Sequence, residues 1–592
     1  MTSDSGEVVL GIERSLTGKR WEAGAHDDRS ARALGQRFGL SDVVSRVLAA
    51  RGVELDEAEA FLNPSLRSLM PDPSSLKDME KAAARLAGGI AAGETIGIFG
   101  DYDVDGATSA ALLHRFIEAV GGKIEIYVPD RIKEGYGPNL PALLAFKEKG
   151  IDLVVTVDCG ITAFEPLAGA AEAGMDVVVV DHHVAEPRLP AAAAVVNPNR
   201  LDDDSSMGRL AAVGVAFLLV VSLNRRLRAD GWYQNREEPN LMQWLDLVAL
   251  GTVCDVVPLV GLNRAFVSQG LKIMARRSNL GIRALADVAS VDEAPTAYHA
   301  GFILGPRVNA GGRVGEAGMG ARLLTTPNAD EARDMAQRLD AWNKERRELE
   351  ARCLEEAVEQ VERDGMADGL VYATAENWHP GVIGIVAGRL KDRYNRPACV
   401  VARENGLGKG SGRSVTGVDI GAAVLAARQS ELLVNGGGHP MAAGFTVAAD
   451  QEPELRAFLS SHIERQVGAG GVVRRLRIDA VVQPAGATPD LALDIARLAP
   501  FGAGNPEPRF VLPAVRIAKA DVVGENHVRC FLAGEGGGRL KAISFRSLGE
   551  PHGDAILRAT GFPLHIAGHI RLDRWQGRED AQLIIEDVAE VN

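Results

Sequence analysis

The chain has 592 residues, 46% of them hydrophobic and 24% charged, which is room for roughly three or four soluble domains. Its net charge of −14 excludes a uniformly basic nucleic-acid binder but not one with a local basic surface. Five cysteines with no C-x-x-C pair argue for a reducing compartment and against structural zinc, and no leader segment or membrane-length apolar run is seen. A cytoplasmic protein with no membrane association is therefore expected.

Residues 1–75 form an N-terminal segment of mixed character, in which 40–50 and 55–62 read as short helices before Pro64, Pro71 and Pro73 interrupt the chain. From 76 to 329 the pattern is strand, turn, helix, repeated, with strands expected at 96–99, 124–128, 153–157, 177–180 and 194–196. These runs are short, unbroken and rich in Val and Ile, as strands of a parallel sheet covered on both faces should be. Residues 330–365 have few breakers and many Glu, Arg and Leu, and predict one long connecting helix. A smaller α/β segment follows over 366–465, with strands at 371–374 and 399–401. In 466–592, alternating runs at 513–520, 528–532, 540–545, 565–572 and 581–585 are parted by Gly-rich turns, which suggests a small β-barrel. The expected fold class is α/β: a parallel-sheet domain, a long connecting helix, a smaller α/β domain and a C-terminal β-barrel.

Chemistry concentrates where the first strands end. Phe99-Gly100-Asp101-Tyr102-Asp103-Val104-Asp105-Gly106 joins strand 96–99 to a helix expected over 107–120. Ligands gather at such turns in open α/β sheets, and three carboxylates this close raise one another's energy unless a cation neutralises them. Alone, the stretch could equally be an acidic solvated loop. Strand 153–157, however, ends at Asp158, and strand 177–180 ends at Asp181-His182-His183. A further acid, Asp255, follows the apolar run 245–253. Parallel strands put their ends along one edge, so these groups should converge on a metal site. Oxygen-rich ligands with one or two imidazoles favour Mg²⁺ or Mn²⁺ over zinc, and there are carboxylates enough for two ions. Such pairs drive phosphoester hydrolysis by making hydroxide from water and stabilising charge on the phosphoryl oxygens. Gly436-Gly437-Gly438-His439 is either a backbone cradle for a phosphate or a plain turn. Arg307, Arg313 and Arg413 offer fixed charge suited to phosphates, or structural ion pairs.

Asp103-x-Asp105, Asp158 and Asp181-His182-His183 resemble the DHH phosphoesterase superfamily. The resemblance extends over nearly the whole chain to its single-strand-specific exonuclease branch. It is carried by Pro306-Arg307-Val308-Asn309-Ala310-Gly311-Gly312-Arg313, His379-Pro380-Gly381-Val382-Ile383-Gly384, Ser411-Gly412-Arg413-Ser414, Asn435-Gly436-Gly437-Gly438-His439 and Pro500-Phe501-Gly502-Ala503-Gly504-Asn505-Pro506. It implies a DHH catalytic domain over 76–329, a DHHA1 substrate-binding domain over 366–465 and an OB-fold over 466–592. It also implies 5′-to-3′ removal of mononucleotides from single-stranded DNA in repair and recombination. Asp103, Asp105, Asp158, His182 and Asp255 would hold two Mg²⁺ or Mn²⁺ ions, with Asp158 as the bridge. His183 would meet the scissile phosphate, Asp181 would orient its neighbours, and Asp101 would complete the catalytic group. Arg131 and Tyr136 would take the 5′-terminal phosphate and a base. Arg307, Asn309, Arg313, Ser411, Arg413, Gly437, Gly438 and His439 would bind the strand. The implied partners are single-stranded DNA, single-strand-binding protein and a RecQ-type helicase, acting with a monomer. Phe99 departs from relatives that carry a metal-binding histidine at that position, which implies one ion held more weakly than the other. Two other readings are a phosphatase for small substrates, whose chains are generally shorter and lack the barrel, and a non-catalytic scaffold, which would have lost acids that are all present here.

Overall fold

The structure, a computed structural model, describes residues 6–591 apart from 26, 131–132, 366–368, 468–471, 560–561 and 576. Two compact units emerge, one made of Pro71–Val257 and Gln269–Val472, the other of Met1–Met70, Pro258–Ser268 and Val473–Asn592.

The first unit contains a five-stranded parallel sheet in the order Lys123–Tyr127, Thr95–Gly100, Leu153–Val157, Asp176–Val180, Ala194–Val196. Leu153–Val157 is buried along its whole length, and Asp176–Val180 everywhere after its first residue. That burial explains the Val-rich runs without alternation. The chain leaves Thr95–Gly100 for the strand on one side and returns to Leu153–Val157 on the other. Strand order reverses between them, which opens a crevice at their C-terminal ends. Phe99 is fully buried there, with its ring 5.6 Å from that of Tyr127, and so completes a strand. The following helix, Val104–Ala119, begins three residues earlier than its apolar pattern suggests, because Asp103 caps it by accepting a hydrogen bond from Gly106 N at 3.0 Å.

The same unit holds the long helix Ala329–Asp364, capped by Asn328, whose Oδ1 accepts from Asp330 N and Glu331 N. A second sheet follows, in the order Asn435–His439, Ala442–Ala448, Leu407–Arg413, Ala398–Glu404, Val371–Glu376. Three of these strands do not show in the sequence pattern. Leu407–Arg413 alternates glycine with larger residues, and a methyl group on Gly410 would collide with the Phe445 ring. One on Gly412 would come within 2.6 Å of Ile420. These glycines are selected by close packing and not by strand propensity. Asn435–His439, expected as a cradle or a turn, is an edge strand paired antiparallel with Ala442–Ala448.

The second unit is a barrel of Phe510–Val523, His527–Ala533, Arg539–Ser544, Arg578–Glu590 and Pro563–Trp575, closed by pairing of the first with the last. This is the OB-type arrangement expected of the C-terminal segment. The N-terminal residues do not pack by themselves. Leu34, Val44, Val47 and Leu48 share one core with Leu491, Ile495, Phe510 and Val528. The strand Lys19–Ala23, too charged to read as one, pairs with Arg474–Ile478. The fully buried Trp21 donates to Asp587 Oδ2 at 2.8 Å. Among the described residues no helix is long and apolar enough to cross a membrane.

One ion-pair cluster in this unit predicts acid sensitivity. Burial pushes the Glu586 carboxyl up, but hydrogen bonds from His569 and Arg509 and the charges of Arg509 and Lys19 outweigh it and bring it from 4.5 to about 2. A depressed carboxyl contributes stability that is present above its unfolded value and lost as pH falls from about 4.5 towards 2. Glu586→Gln is therefore expected to cost on the order of 1–3 kcal/mol at pH 7 and progressively less through that window. Denaturant unfolding of both proteins at pH 7, 4 and 3 checks this, and a pH-independent difference would show the carboxylate to be a bystander.

Candidate metal centre

Six acids and two imidazoles meet at the crevice. Asp101 follows Thr95–Gly100, and its backbone N–H donates to Val157 O at 3.2 Å, tying the acidic turn to the neighbouring strand. Gly106 lacks a side chain where the helix crosses Asp101, and any Cβ would strike the Asp101 carbonyl. Asp105, in the first turn of that helix, turns inward and is buried. Its carboxylate accepts from Ala212 N at 2.6 Å and Val213 N at 2.9 Å. Those are the first amides of the helix Ala212–Ala229, which has no side-chain cap of its own. A helix N-terminus thus holds one of the buried charges.

Asp158 sits directly after Leu153–Val157 with φ +61, a left-handed conformation that carries its side chain into the crevice. Asp181 follows Asp176–Val180 and is fully buried. Its Oδ1 accepts from His182 N at 2.7 Å, His183 N at 3.1 Å and His183 Nδ1 at 2.7 Å, and its Oδ2 from Ile161 N at 3.0 Å. Asp181 is saturated with donors and orients the two histidines. Burial pushes its carboxyl up, but the His183 and backbone hydrogen bonds outweigh burial and hold it below the usual range.

His182 Nδ1 lies 3.0 Å from Leu210 O, which fixes the proton on that nitrogen and leaves the Nε2 lone pair facing the acids. Nε2 is 3.3 Å from Asp158 Oδ1, 3.7 Å from Asp255 Oδ2 and 4.0 Å from Asp105 Oδ2. Asp255 closes the helix Leu245–Cys254 at its C-cap, and Val256 behind it takes φ +62 as the chain turns away. Ligand atoms of Asp158, His182 and His183 lie within 4.8 Å of one another, as do those of Asp105, His182 and Asp255, and those of Asp101, Asp103 and Asp158. Asp158 and His182 each belong to two of these groups.

The side chains fit divalent cations. His182 Nε2, Asp158 Oδ1 and Asp255 Oδ2 are buried acceptors that no donor among the described residues reaches. Buried acceptors brought face to face are costly as carboxylates, and a cation removes the cost. Burial and then the neighbouring acids push Asp105 and Asp158 well above the carboxylate range, and burial followed by the charge of Asp103 takes Asp255 up to about 7. Burial and the neighbouring His183 lower His182 to about 4, which keeps its imidazole neutral at pH 7 and able to donate a lone pair.

The residues expected to bind the strand fall into three groups. Tyr136 stands beside the centre, with its hydroxyl 3.2 Å from Asp158 O and its ring against His183 and Tyr102. Arg131 lies outside the described residues. Ser411 and Arg413 lie in register with Gly437 and His439 across Ala442–Ala448, so the four share one face of the second sheet, whereas Gly438 is in register with Gly412 on the opposite face. Arg307 is engaged elsewhere: its guanidinium pairs with Asp340 on the long helix at 2.9 Å and donates to Ile303 O at 2.7 Å. Asn309 and Arg313 lie on the same helix, Gly305–Val314, and Arg313 Nη1 donates to Gly381 O at 2.9 Å. Sequence reasoning missed Tyr102, the Leu210 carbonyl and the uncapped start of Ala212–Ala229. No motif marks them, because an aromatic between two acids and a backbone group carry no pattern of their own.

Comparison with known proteins bears on this geometry. Residues 95–252 match the DHH family, N-terminal domain, residues 367–465 the DHHA1 domain, and residues 478–587 the RecJ OB domain. The single-stranded-DNA-specific exonuclease RecJ of Dickeya dadantii is 38% identical over 92% of this chain and 96% of its own. Two crystal structures of RecJ from Thermus thermophilus are also similar. The one in complex with Mn²⁺ has a TM-score of 0.81 at 30% identity, covering 96% of this chain and 79% of that one. The one in complex with Mg²⁺ has a TM-score of 0.75 at 28% identity, covering 96% and 78%. An ordered set of three domains, matched from one end to the other, leaves a single assignment: the chain belongs to the RecJ family of DHH proteins.

Proposed function

We propose that this protein is a metal-dependent exonuclease that removes 5′-mononucleotides from the 5′ end of single-stranded DNA, in repair and recombination. The observation that carries the reading is the convergence of His182 Nε2, Asp158 Oδ1 and Asp255 Oδ2, with no donor from the described residues among them. Two Mn²⁺ or Mg²⁺ ions, when bound, supply positive charge against the phosphoryl oxygens and acidify water. Asp105, Asp158, His182 and Asp255 would hold one, and Asp103, Asp158 and Asp101 would hold the other. His183, fixed through Nδ1 by Asp181, keeps Nε2 for the scissile phosphate. Tyr136 stacks on the terminal base. Water attacks the scissile phosphorus and the bond to the 3′ oxygen of the terminal nucleotide breaks, so the remaining strand again begins with a 5′ phosphate. Ser411, Arg413, Gly437 and His439 bind the strand from the second sheet. The enzyme works as a cytoplasmic monomer, with single-strand-binding protein and a RecQ-type helicase as partners.

The test is a matched pair of oligonucleotides labelled at the 5′ or the 3′ end, single-stranded or annealed. Labelled mononucleotide is expected at once from the 5′ label on single strands with Mn²⁺, and none with chelator. Immediate release from the 3′ label would reverse the polarity. Cleavage confined to dinucleotides would favour a small-substrate phosphatase, and no cleavage would favour a scaffold.

A further inference from the structure

The helix Gly305–Val314 is preceded by a wider, π-type turn over His299–Leu304, an irregularity often kept at functional positions. Its inward side is fitted closely to the metal centre. Cys254 Sγ, beside Asp255, reaches Ala300 O at 3.5 Å, and any methyl group on Gly305 would strike that sulfur. A methyl on Gly301 would sit 3.2 Å from Val253. Further along, Gly312 passes Tyr102, between Asp101 and Asp103, where a Cβ would be 2.8 Å from the Tyr102 carbonyl. Arg307 pins the turn by donating to Ile303 O while paired with Asp340.

The outward side carries Tyr298 and Phe302. Their rings stack at 5.3 Å with 26° between planes, and they are 60% and 73% exposed. Two large aromatics held parallel in water bury little of what they could, and such patches mark interaction sites.

We infer that Tyr298 and Phe302 form a stacking platform for nucleobases of the bound single strand, beyond the nucleotide whose phosphate is cleaved. The occupant follows from position and shape. The platform stands on the turn that packs against the Asp255 helix, and a base added to two parallel rings continues the stack. Stacking of this kind accepts any base but requires it to be unpaired. The inference rests on the single-stranded-DNA reading above.

The test couples side-chain removal to base removal. Binding of 5′-phosphorylated, 3′-fluorescent oligonucleotides is measured by anisotropy in chelator, so that no turnover intervenes, with thermal unfolding as a fold control. Tyr298→Ala with Phe302→Ala is expected to weaken binding of a normal strand about 10- to 100-fold. In Mn²⁺ the loss should appear in KM. Phe302→Trp, in the background of Tyr298, should recover most of the Phe302→Ala loss. Single abasic sites moved along the strand should reproduce the wild-type loss at one or two positions and cost the double variant nothing there. A folded double variant that binds like wild type would overturn the platform, as would an equal loss on a wholly abasic strand. A wild type that binds normally but does not degrade single strands would instead overturn the functional reading and leave the binding comparison intact.

Discussion

Asp158→Ala should lower turnover on single-stranded DNA by ~1,000-fold or more while strand binding in chelator stays near wild type. Asp158 is the carboxylate shared by two of the three donor groups, so its loss takes a donor from both. The residues proposed to hold the strand, on the second sheet and at Tyr136, are untouched. The same variant makes an opposite prediction for stability. Without metal, Asp158 is buried among Asp101, Asp103, Asp105 and Asp255, and burial followed by their charge pushes its carboxyl up. Removing it should raise the melting temperature of the metal-free protein. Adding Mn²⁺ should raise that of the wild type, by about 2.7 kcal/mol of stability at a hundred times the dissociation constant, and do little for the variant. Turnover near wild type, or an equal Mn²⁺ shift in both proteins, would remove Asp158 from the centre.

The parts of this site that could be read in advance share one property: they are written in residue type at the ends of buried strands. Val-rich runs ending in Asp158 and in Asp181-His182-His183 show both the sheet and the edge where ligands meet. The limits of these parallel strands differ from the apolar runs by at most one residue at either end, and at Thr95–Gly100 backbone pairing extends past the run. What stayed hidden depends on packing between distant segments. Leu407–Arg413 and Asn435–His439 are strands whose glycines make room for Phe445 and Ile420, and glycine argues against a strand when read alone. For Arg307 the sequence leaves a phosphate contact and a structural ion pair equally open. Its partner Asp340 lies on the long helix and had no reason to be paired with it beforehand. The individual roles of the ligands came from resemblance, because spacing shows that carboxylates converge but not which cation each would touch.

Asp181 separates orientation from ligation, and its variants should show the second-largest effect. Its two oxygens accept four hydrogen bonds within the protein, from three backbone amides and the His183 ring. Asp181→Ala strands those buried donors, each costing about 1–3 kcal/mol, so a marked fall in melting temperature is expected. Asp181→Asn keeps one oxygen for the His182 and His183 side but turns an amide donor toward Ile161 N, so one contact is lost and most of the fold energy is kept. It also removes the negative charge that supports the His183 ring. Turnover of the Asn variant should therefore fall about 10- to 100-fold, the usual cost of losing a group that orients catalytic ligands. Its Mn²⁺-induced thermal shift should persist, because Asp105, Asp158, His182 and Asp255 are all retained. The measurement is turnover and thermal shift on the same preparations. A lost Mn²⁺ shift with intact folding would make Asp181 a ligand, and wild-type turnover in the Asn variant would mean that His183 needs no anionic partner.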